Sequence, residues 1–535
     1  MRKFNTTGIC IPSRHYMVDI SDKVREIKKM VDDGEYFVIN RARQYGKTTT
    51  LNALCAELIK TYIVISLDFQ DIGDAVFGSE GAFAQGLARL ICDTADFMGI
   101  SIPAAFYEQF RTLNEKDEDR VKLDELFRIF MKWFRESEKP VVLIIDEVDS
   151  AANNQIFLDF LAILRSIYLK SKGNSKIVAF QSVILAGVTD VKHLKSKIRD
   201  EAEAKVNSPW NIASDFNIDM SLSEAGIKDM LDEYEADHGT GMDTAAIARQ
   251  IRGYTNGYPF LVSRICQLLD EKPASWDLCG LKEAWSEEGV ETAVKLILLE
   301  KNTLFDSLMG KVRDHGRLAR QLREILLKGE SIEYLPDSNE QEQLMMYGFI
   351  VNDNGTVAVA NKIFEMRLYK YFIGESRFAG ELRGSALDHK PEFIKDGELN
   401  VPLIMERFIE TQKYIRDMDD KRAEKRFIEE EGREKFITYI SPIINGAGTY
   451  SIEGQTRNRR RMDLVIHYLG KRYVIEMKIW HGDRYNAKGE EQLLDYLSAY
   501  GLDTGYLLSF SFNKNKKPGV EAVHIGDKVV YEGIV

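Results

Sequence analysis

The short apolar run Tyr36–Asn40 (YFVIN) leads into Arg41-Ala42-Arg43-Gln44-Tyr45-Gly46-Lys47-Thr48, and a stretch with helical periodicity, Lys47–Lys60, follows. Strand, tight loop and helix in that order bring peptide N–H groups at a helix N-terminus to one point, where they can cradle phosphate oxygens. The usual phosphate loop reads G-x-x-x-x-G-K-[ST]; here Arg41 stands at the first glycine and the rest is intact. Gly46 lets the backbone approach closely, the Lys47 ammonium reaches terminal phosphates, and the Thr48 hydroxyl can bind magnesium. The nucleotide-binding residues read from this segment are Arg43, Gln44, Tyr45, Gly46, Lys47, Thr48 and Thr49.

Three more apolar runs, Tyr62–Asp68, Pro140–Asp146 and Ser182–Gly187, alternate with helical stretches. Continuous apolar strands between helices predict a parallel sheet covered on both faces. Asp146 ends one of these strands, where a carboxylate is costly without a partner. Magnesium held through water is such a partner, which makes Asp146 a second metal-side group beside Thr48. Glu147 follows directly, placed to polarise an attacking water, so the pair favours hydrolysis over binding alone. The cofactors expected here are ATP and Mg2+.

The pattern R-x-R-x-[FY]-G-K-[ST], followed by an apolar strand ending Asp-Glu, resembles the AAA-ATPase-like family of bacterial proteins. Those proteins commonly pair the ATPase with a C-terminal nuclease-superfamily domain. His15-Tyr16-Met17-Val18-Asp19 resembles the family's segment ahead of the phosphate loop. The resemblance implies that Tyr16 lies against the adenine; a core tyrosine is the other reading. Val188-Thr189-Asp190, at the end of Ser182–Gly187, reads either as a γ-phosphate sensor or as a helix cap. Gly257-Tyr258-Pro259 resembles the G-x-P element of signalling-ATPase lids, in which the proline packs by the nucleotide. Arg199 and Arg264 are candidate arginine fingers or sensors, against the plainer reading of solvated surface residues. The resemblance also implies subunit contacts, and hence a homo-oligomer.

Beyond about Met220 the pattern turns helical, with Ser221, Ser223 and Glu224 as a capped start. From Leu304 to Phe372, helices precede Phe349–Val351, the turn Asp353-Asn354-Gly355, and Thr356–Ala360. An Asn-Gly turn between two apolar runs predicts a hairpin, and helices with a hairpin predict a winged helix. Its second helix, Ser338–Tyr347, carries Glu340 and Glu342 and no Lys or Arg. Carboxylates facing phosphates repel, so a structural or regulatory role is favoured over DNA reading. The basic residues Arg313, Arg317, Arg320 and Arg323 lie on an earlier helix.

In the last unit, Asp463 starts an apolar strand, and Lys471–Lys478 (KRYVIEMK) carries Glu476 and Lys478 two residues apart, on one face. A turn at Leu469-Gly470 allows Asp463 and Glu476 to converge on one divalent ion, with Lys478 beside them. Carboxylates holding magnesium lower the pKa of a bound water, and lysine neutralises developing charge. D-x(12)-E-x-K is similar to the PD-(D/E)xK nuclease superfamily. Glu434 matches the glutamate that the superfamily's first helix often supplies, with Glu431 as the alternative. Glu491-Gln492-Leu493-Leu494-Asp495-Tyr496 resembles a later family helix. Met462 stands where proline often precedes the aspartate. Arg457, Arg459, Arg460 and Arg461 read either as a phosphate-binding run or as a solvated loop. Mn2+ is the alternative ion at this site. His467 and His481 lack a matching partner, which argues against zinc.

With 535 residues the chain is too long for a single core. Its composition, 44% hydrophobic and 29% charged, is that of a soluble protein, and no apolar run approaches the ~20 residues of a membrane span. Five scattered cysteines with no C-x-x-C pair exclude a disulfide framework and fit the cytoplasm. A net charge of −12 makes any nucleic-acid contact local. The expected fold is α/β. A P-loop NTPase (ASCE/AAA-like) parallel sheet over 1–220 is followed by a helical lid over 221–303 and a winged helix over 304–374. A linker, 375–400, then leads to an α/β restriction-endonuclease-like domain over 401–535. The function this implies is an ATPase coupled to a metal-dependent nuclease acting on nucleic acid, DNA first. The alternative is a signalling-type ATPase switch whose C-terminal domain binds without cleaving.

Overall fold

The computed structural model describes the chain except residues 1, 71, 101, 153, 175, 189–209, 272–279, 328–331, 375–378, 420–428, 446–447, 454–461, 480–489, 491–492, 499 and 512–516. It divides into two compact units. Met1–Arg252, Asn256–Ser286 and Gln343–Gly348 form the first; Gly253–Thr255, Glu287–Glu342 and Phe349–Val535 form the second. Among the described residues, no helix is long and apolar enough to cross a membrane.

In the first unit, β1 (Lys3–Phe4) and β2 (His15–Tyr16) pair in parallel ahead of α1 (Ser21–Asp32). The chain continues through β3 (Tyr36–Asn40), α2 (Lys47–Leu58) and β4 (Ile63–Asp68). Three helices, α3 (Glu80–Met98), α4 (Ala104–Glu115) and α5 (Leu123–Glu136), lead to β5 (Val141–Asp146). Then α6 (Gln155–Gly173) returns the chain to β6 (Ser182–Gly187). The four strands form a parallel sheet in the order β3-β6-β5-β4. Alternate residues serve opposite faces. Val38, Leu143, Ile145 and Leu185 meet α3 to α6 on one side. Ile39, Val142, Ile144 and Ile184 meet Ile27 of α1 and Leu54 of α2 on the other. Burial on both faces is why these strands read as unbroken apolar runs.

Residues 210–222 run from the β3 edge to the helices beyond. Phe37 bridges Ser214 in parallel, and Ser214 N donates to Tyr36 O at 2.8 Å. Next come α7 (Glu224–His238), α8 (Thr244–Thr255) and α9 (Pro259–Glu271). Ser223 caps α7 by accepting from Gly226 N at 3.1 Å, as its position predicts.

The second unit begins with α10 (Glu287–Ile297), α11 (Thr303–Asp314) and α12 (Gly316–Leu327). After β7 (Ile332–Glu333) come α13 (Asn339–Met346), whose residues from Gln343 onward belong to the first unit, β8 (Ile350–Asp353), β9 (Thr356–Val359) and α14 (Lys362–Gly374). The three strands pair antiparallel in the order β7-β9-β8. Asn354 and Gly355 turn the β8–β9 hairpin at φ 51° and 89°, the left-handed pair that a two-residue loop requires.

The expected linker over 375–400 is folded instead. It holds α15 (Ala379–Asp388), β10 (Ile394–Lys395) and β11 (Glu398–Leu399). Leu382, Ala386 and Phe393 are fully buried. Gly380 and Gly384 have open space around them, so they occupy an exposed helix face. Beyond lie α16 (Val401–Asp419), α17 (Glu429–Ile444), β12 (Gly448–Glu453), β13 (Met462–Tyr468) and β14 (Lys471–Ile479). The last strands are β15 (Thr504–Phe510), β16 (Gly519–Ile525) and β17 (Lys528–Ile534). These six strands form a mixed sheet in the order β12-β13-β14-β15-β17-β16.

Candidate functional site

The loop between β3 and α2 carries the first site. α2 begins at Gly46 in the left-handed region (φ 80°), with no side-chain cap on its first turn among the described residues. Uncapped N–H groups and the positive end of the helix dipole together suit an anion. Lys47 is buried, and its Nζ donates to Arg41 O at 2.9 Å and Ala42 O at 3.2 Å. Thr48 Oγ1 donates to Asp146 Oδ2 at 3.0 Å, so the hydroxyl and the strand-end carboxylate meet as expected. Arg43 and Thr48 are exposed. Thr49 Oγ1 accepts from Cys10 N at 3.2 Å, so it anchors the N-terminal segment.

Burial governs the charges. It lowers the Lys47 pKa, opposed by Glu147, Asp149 and Asp146. It raises the Asp146 pKa, offset by the hydrogen bonds from Glu147 N and Thr48. It also raises the Glu147 pKa, with Lys47 pulling the other way. Three carboxylates act on one desolvated lysine, so the loop carries net negative charge on its inner side. Glu147 sits at φ 54°, ψ 41°, a region that costs a non-glycine residue about 1 kcal/mol or more. Its strained turn is held from both sides: Asp146 Oδ1 accepts from Glu147 N at 2.9 Å, and Ser150 Oγ donates to Glu147 O at 3.0 Å.

Several residues here escaped the sequence reading. Asp149 Oδ2 accepts from Val188 N at 2.7 Å, tying the Asp146–Ser150 turn to the end of β6. Gly187 makes room: a Cβ there would lie 3.2 Å from both Asp149 oxygens. The third acid of Asp-Glu-x-Asp was visible in the sequence, but its partner, a backbone N–H, carries no sequence signal. Gly348, at φ 80°, comes so close to the phosphate loop that a Cβ would lie 2.6 Å from that of Ala42. The preceding Tyr347 is buried, and its pKa is raised by that burial and by Asp149.

Pro259 lies beside the loop, its Cγ 3.8 Å from where a Gly46 Cβ would be. Tyr258 Oη donates to Arg43 O, and its ring meets Tyr45 edge-on at 4.8 Å. Gly257 must be glycine: at φ 70°, an added Cβ would lie 2.1 Å from Leu222 O. Gly257→Ala should therefore destabilise the protein by about 3 kcal/mol. Gly310→Ala, on an open helix face of α11, should instead be neutral or gain up to about 1 kcal/mol. Urea melts of the two variants check both signs.

Tyr16 is packed otherwise than against a nucleotide. Its ring lies 5.2 Å from both Phe4 and Tyr234, Arg2 covers it at 4.6 Å, and its hydroxyl donates to Asp237 at 2.7 Å. Protein groups thus surround it, as in the core-tyrosine reading. Gln44 takes a left-handed φ of 57° within the loop. Arg264 donates to Gln267 at 2.8 Å within α9. Thr189, Asp190 and Arg199 lie outside the described residues.

In the second unit, β13 and β14 form the expected hairpin, turning at Leu469 and Gly470 (φ 45° and 76°). Their register runs to Leu464↔Ile475; continued by one residue, it sets Asp463 level with Glu476. Glu476 is buried, and Lys478 Nζ lies 2.9 Å from Glu476 Oε1. Glu476 and Lys478 register with Leu507 and Ser509 of β15. Leu507 packs with Val465, Val474, Leu493 and Tyr496, so the Glu-x-Lys face is the one covered by residues 493–498. The Asp463 side chain, Glu431, Gln492, His481 and Arg457 to Arg461 lie outside the description. Among the described residues, no group of three or more His, Cys, Asp or Glu could hold a metal.

Glu434 must be corrected. Gly432, two residues before it on α17, packs onto Phe510, where a Cβ would lie 2.5 Å from the ring. Phe510 follows Ser509 and so points to the face opposite Glu476 and Lys478. The buried Glu434 carboxylate instead accepts from Arg323 Nη2 of α12 at 2.6 Å. Burial demands a counter-ion, and Arg323 supplies it. Glu434 therefore holds α17 to α12 and is not grouped with Glu476.

Residues 6–373 match the model of a family described as an AAA-like domain. No curated protein matches the chain. Among solved structures, a Walker-type ATPase of Pyrococcus abyssi aligns at 14% identity and TM-score 0.46, covering 68% of this chain and 99% of its own. The Aeropyrum pernix ORC1 protein, solved in complex with DNA, aligns at 13% identity and TM-score 0.29, covering 66% and 93%. The Thermotoga maritima RuvB Holliday junction branch migration motor aligns at 11% identity and TM-score 0.30, covering 66% and 95%. The loop, the parallel sheet and the family match together make the first unit's fold that of a P-loop NTPase.

Proposed function

This chain belongs to the AAA-like domain family, and from that premise we propose that it binds and hydrolyses ATP and couples this to metal-dependent cleavage of nucleic acid. The observation that carries the first half is the meeting of buried Lys47 and the Thr48–Asp146 hydrogen bond at an uncapped helix N-terminus. ATP phosphates would lie on the first turn of α2, with Lys47 moving from the loop carbonyls onto the terminal phosphates. Thr48 and Asp146 would hold Mg2+, which neutralises charge developing at the terminal phosphate. Glu147 would orient the attacking water, its turn braced by Asp149 and Ser150. Gly46, Gln44 and Tyr45 shape the loop, Arg43 is exposed to reach phosphate, and Pro259 closes one side.

For the second half, the reading is a PD-(D/E)xK-like domain over 401–535, with the α11–α14 segment as a structural winged helix. Asp463 and Glu476 would hold Mg2+ or Mn2+, and Lys478 would steady the attacking water or the developing charge. The supporting observation is the buried Glu476 with Lys478 at 2.9 Å on the strand paired with that of Asp463. A second reading keeps the ATPase and makes the C-terminal domain a binding module, because Glu476 already has a counter-ion in Lys478. Incubating the full chain with plasmid and single-stranded DNA, with Mg2+ or Mn2+, with and without ATP, separates them. Cleavage supports the nuclease. Nucleotide-dependent DNA retention or self-association without cleavage supports the switch.

A further inference from the structure

Through the Arg41 side chain, the phosphate loop is joined to the segment that leads into the lid helices. Arg41, standing at the usual first glycine, continues β3 by donating its N–H to Gly187 O at 3.2 Å. Its side chain turns away from the phosphate cradle. Nη1 donates to Asn40 O at 2.8 Å, and Nη2 to Ile218 O at 2.9 Å and Phe216 O at 3.4 Å. The guanidinium lies 5.2 Å over the Phe216 ring, which itself stacks on Phe37 of β3 at 5.9 Å. A planar cation bonded to three carbonyls and laid on an aromatic face is held in one geometry.

The gripped segment leads directly into α7, the first of the helices α7 to α9. Beyond Ile218, Asp219 accepts from Ser221 N at 2.8 Å, Leu222 N donates to Gly257 O at 2.8 Å, and Ser223 caps α7. At its other end, the same group of helices touches the loop through Tyr258, which bonds Arg43 O and meets Tyr45, and through Pro259 at Gly46. Lys47 Nζ bonds the carbonyl of Arg41 itself. A Lys47 that left that carbonyl for a phosphate would release the backbone of the residue whose side chain holds the 216–218 segment.

We propose that Arg41 is a positioning residue that couples the nucleotide state of the phosphate loop to the 214–222 segment that leads into the helices following it. This rests on the ATPase reading above. A glycine at this position would give the usual phosphate loop but would leave that segment ungripped. Binding energy from the phosphates would then no longer be spent on ordering the lid, so turnover would suffer more than binding.

The test uses the full chain and its Arg41→Gly, Arg41→Lys and Phe216→Leu variants. Three readouts are taken: affinity for a fluorescent ATP analogue with Mg2+, kcat and KM for ATP, and hydrogen exchange over 214–222 with and without nucleotide. Arg41→Gly should keep nucleotide affinity within about threefold, lose about tenfold or more in kcat, and lose nucleotide-dependent protection at 214–222. Arg41→Lys should recover part of the turnover, and Phe216→Leu should show the same pattern more weakly. Wild-type turnover with unchanged exchange in Arg41→Gly overturns the proposal. So does a loss of turnover with protection intact, which would place Arg41 at the phosphates. A wild-type chain that neither binds nor hydrolyses ATP would overturn the ATPase reading itself, an outcome visible before any variant is compared.

Discussion

Glu147→Gln is expected to bind ATP within a few-fold of the wild type and to hydrolyse it about 100- to 1000-fold more slowly. The change removes the carboxylate proposed as the base without altering shape. Thr48, Asp146 and Lys47 keep their contacts, because none of them bonds the Glu147 side chain. The strained backbone also remains, since it is held through Glu147 N and O. Burial and neighbouring acids raise the Glu147 pKa toward the range where a carboxylate takes up a proton more readily, the direction a general base needs. Single-turnover hydrolysis beside an equilibrium binding assay checks the split. Equal loss of binding and turnover would assign Glu147 a structural part.

If the proposed nuclease reading holds, Lys478→Ala should lower metal-dependent cleavage by about 100-fold or more while leaving ATP hydrolysis unchanged. Glu476 is buried, and Lys478 is its counter-ion at 2.9 Å. On the nuclease reading, removing the lysine would leave a buried carboxylate able to bind a divalent cation but without the group that would steady the attacking water. Lys478→Ala is therefore expected to keep or gain Mn2+ affinity as it loses cleavage, and titration with Mn2+ separates the two effects. Cleavage that survives in the purified variant would locate any nuclease elsewhere, or in a contaminant. Arg323→Ala makes a useful contrast. Since Glu434 lies away from the Glu-x-Lys face, that variant should lose stability, by about 3 kcal/mol, and keep its cleavage per folded molecule.

Much of the first unit was legible because its signals are local. Tyr36–Asn40, Gly46-Lys47-Thr48 and Val141–Asp146 announce a buried strand, a phosphate loop and a strand-end carboxylate within a few residues each. Their meeting, Thr48 to Asp146, also needs the strand order, in which β6 lies between β3 and β5 and both end at the same edge. Arg41, Asp149 and Gly348 were not legible, because their partners are backbone atoms or a methyl group far along the chain. Glu434 was misplaced for a different reason. A helical match fixes the type of residue but not which side of the helix meets the sheet, and Gly432 against Phe510 decides that. The stretch 375–400 was read as a linker because exposed glycines on a helix look like those of a loop. For Tyr16, aromatic packing and an adenine contact demand the same residue type, and only the ring's neighbours tell them apart.

Calorimetric titration of Mg-ATP into the full chain and into its Lys47→Ala variant tests the central claim most directly. The account predicts micromolar or tighter binding by the wild type, roughly −8 kcal/mol or better, and a loss of at least about tenfold in the variant. Equal affinity in the two proteins, or no binding by the wild type, would contradict it.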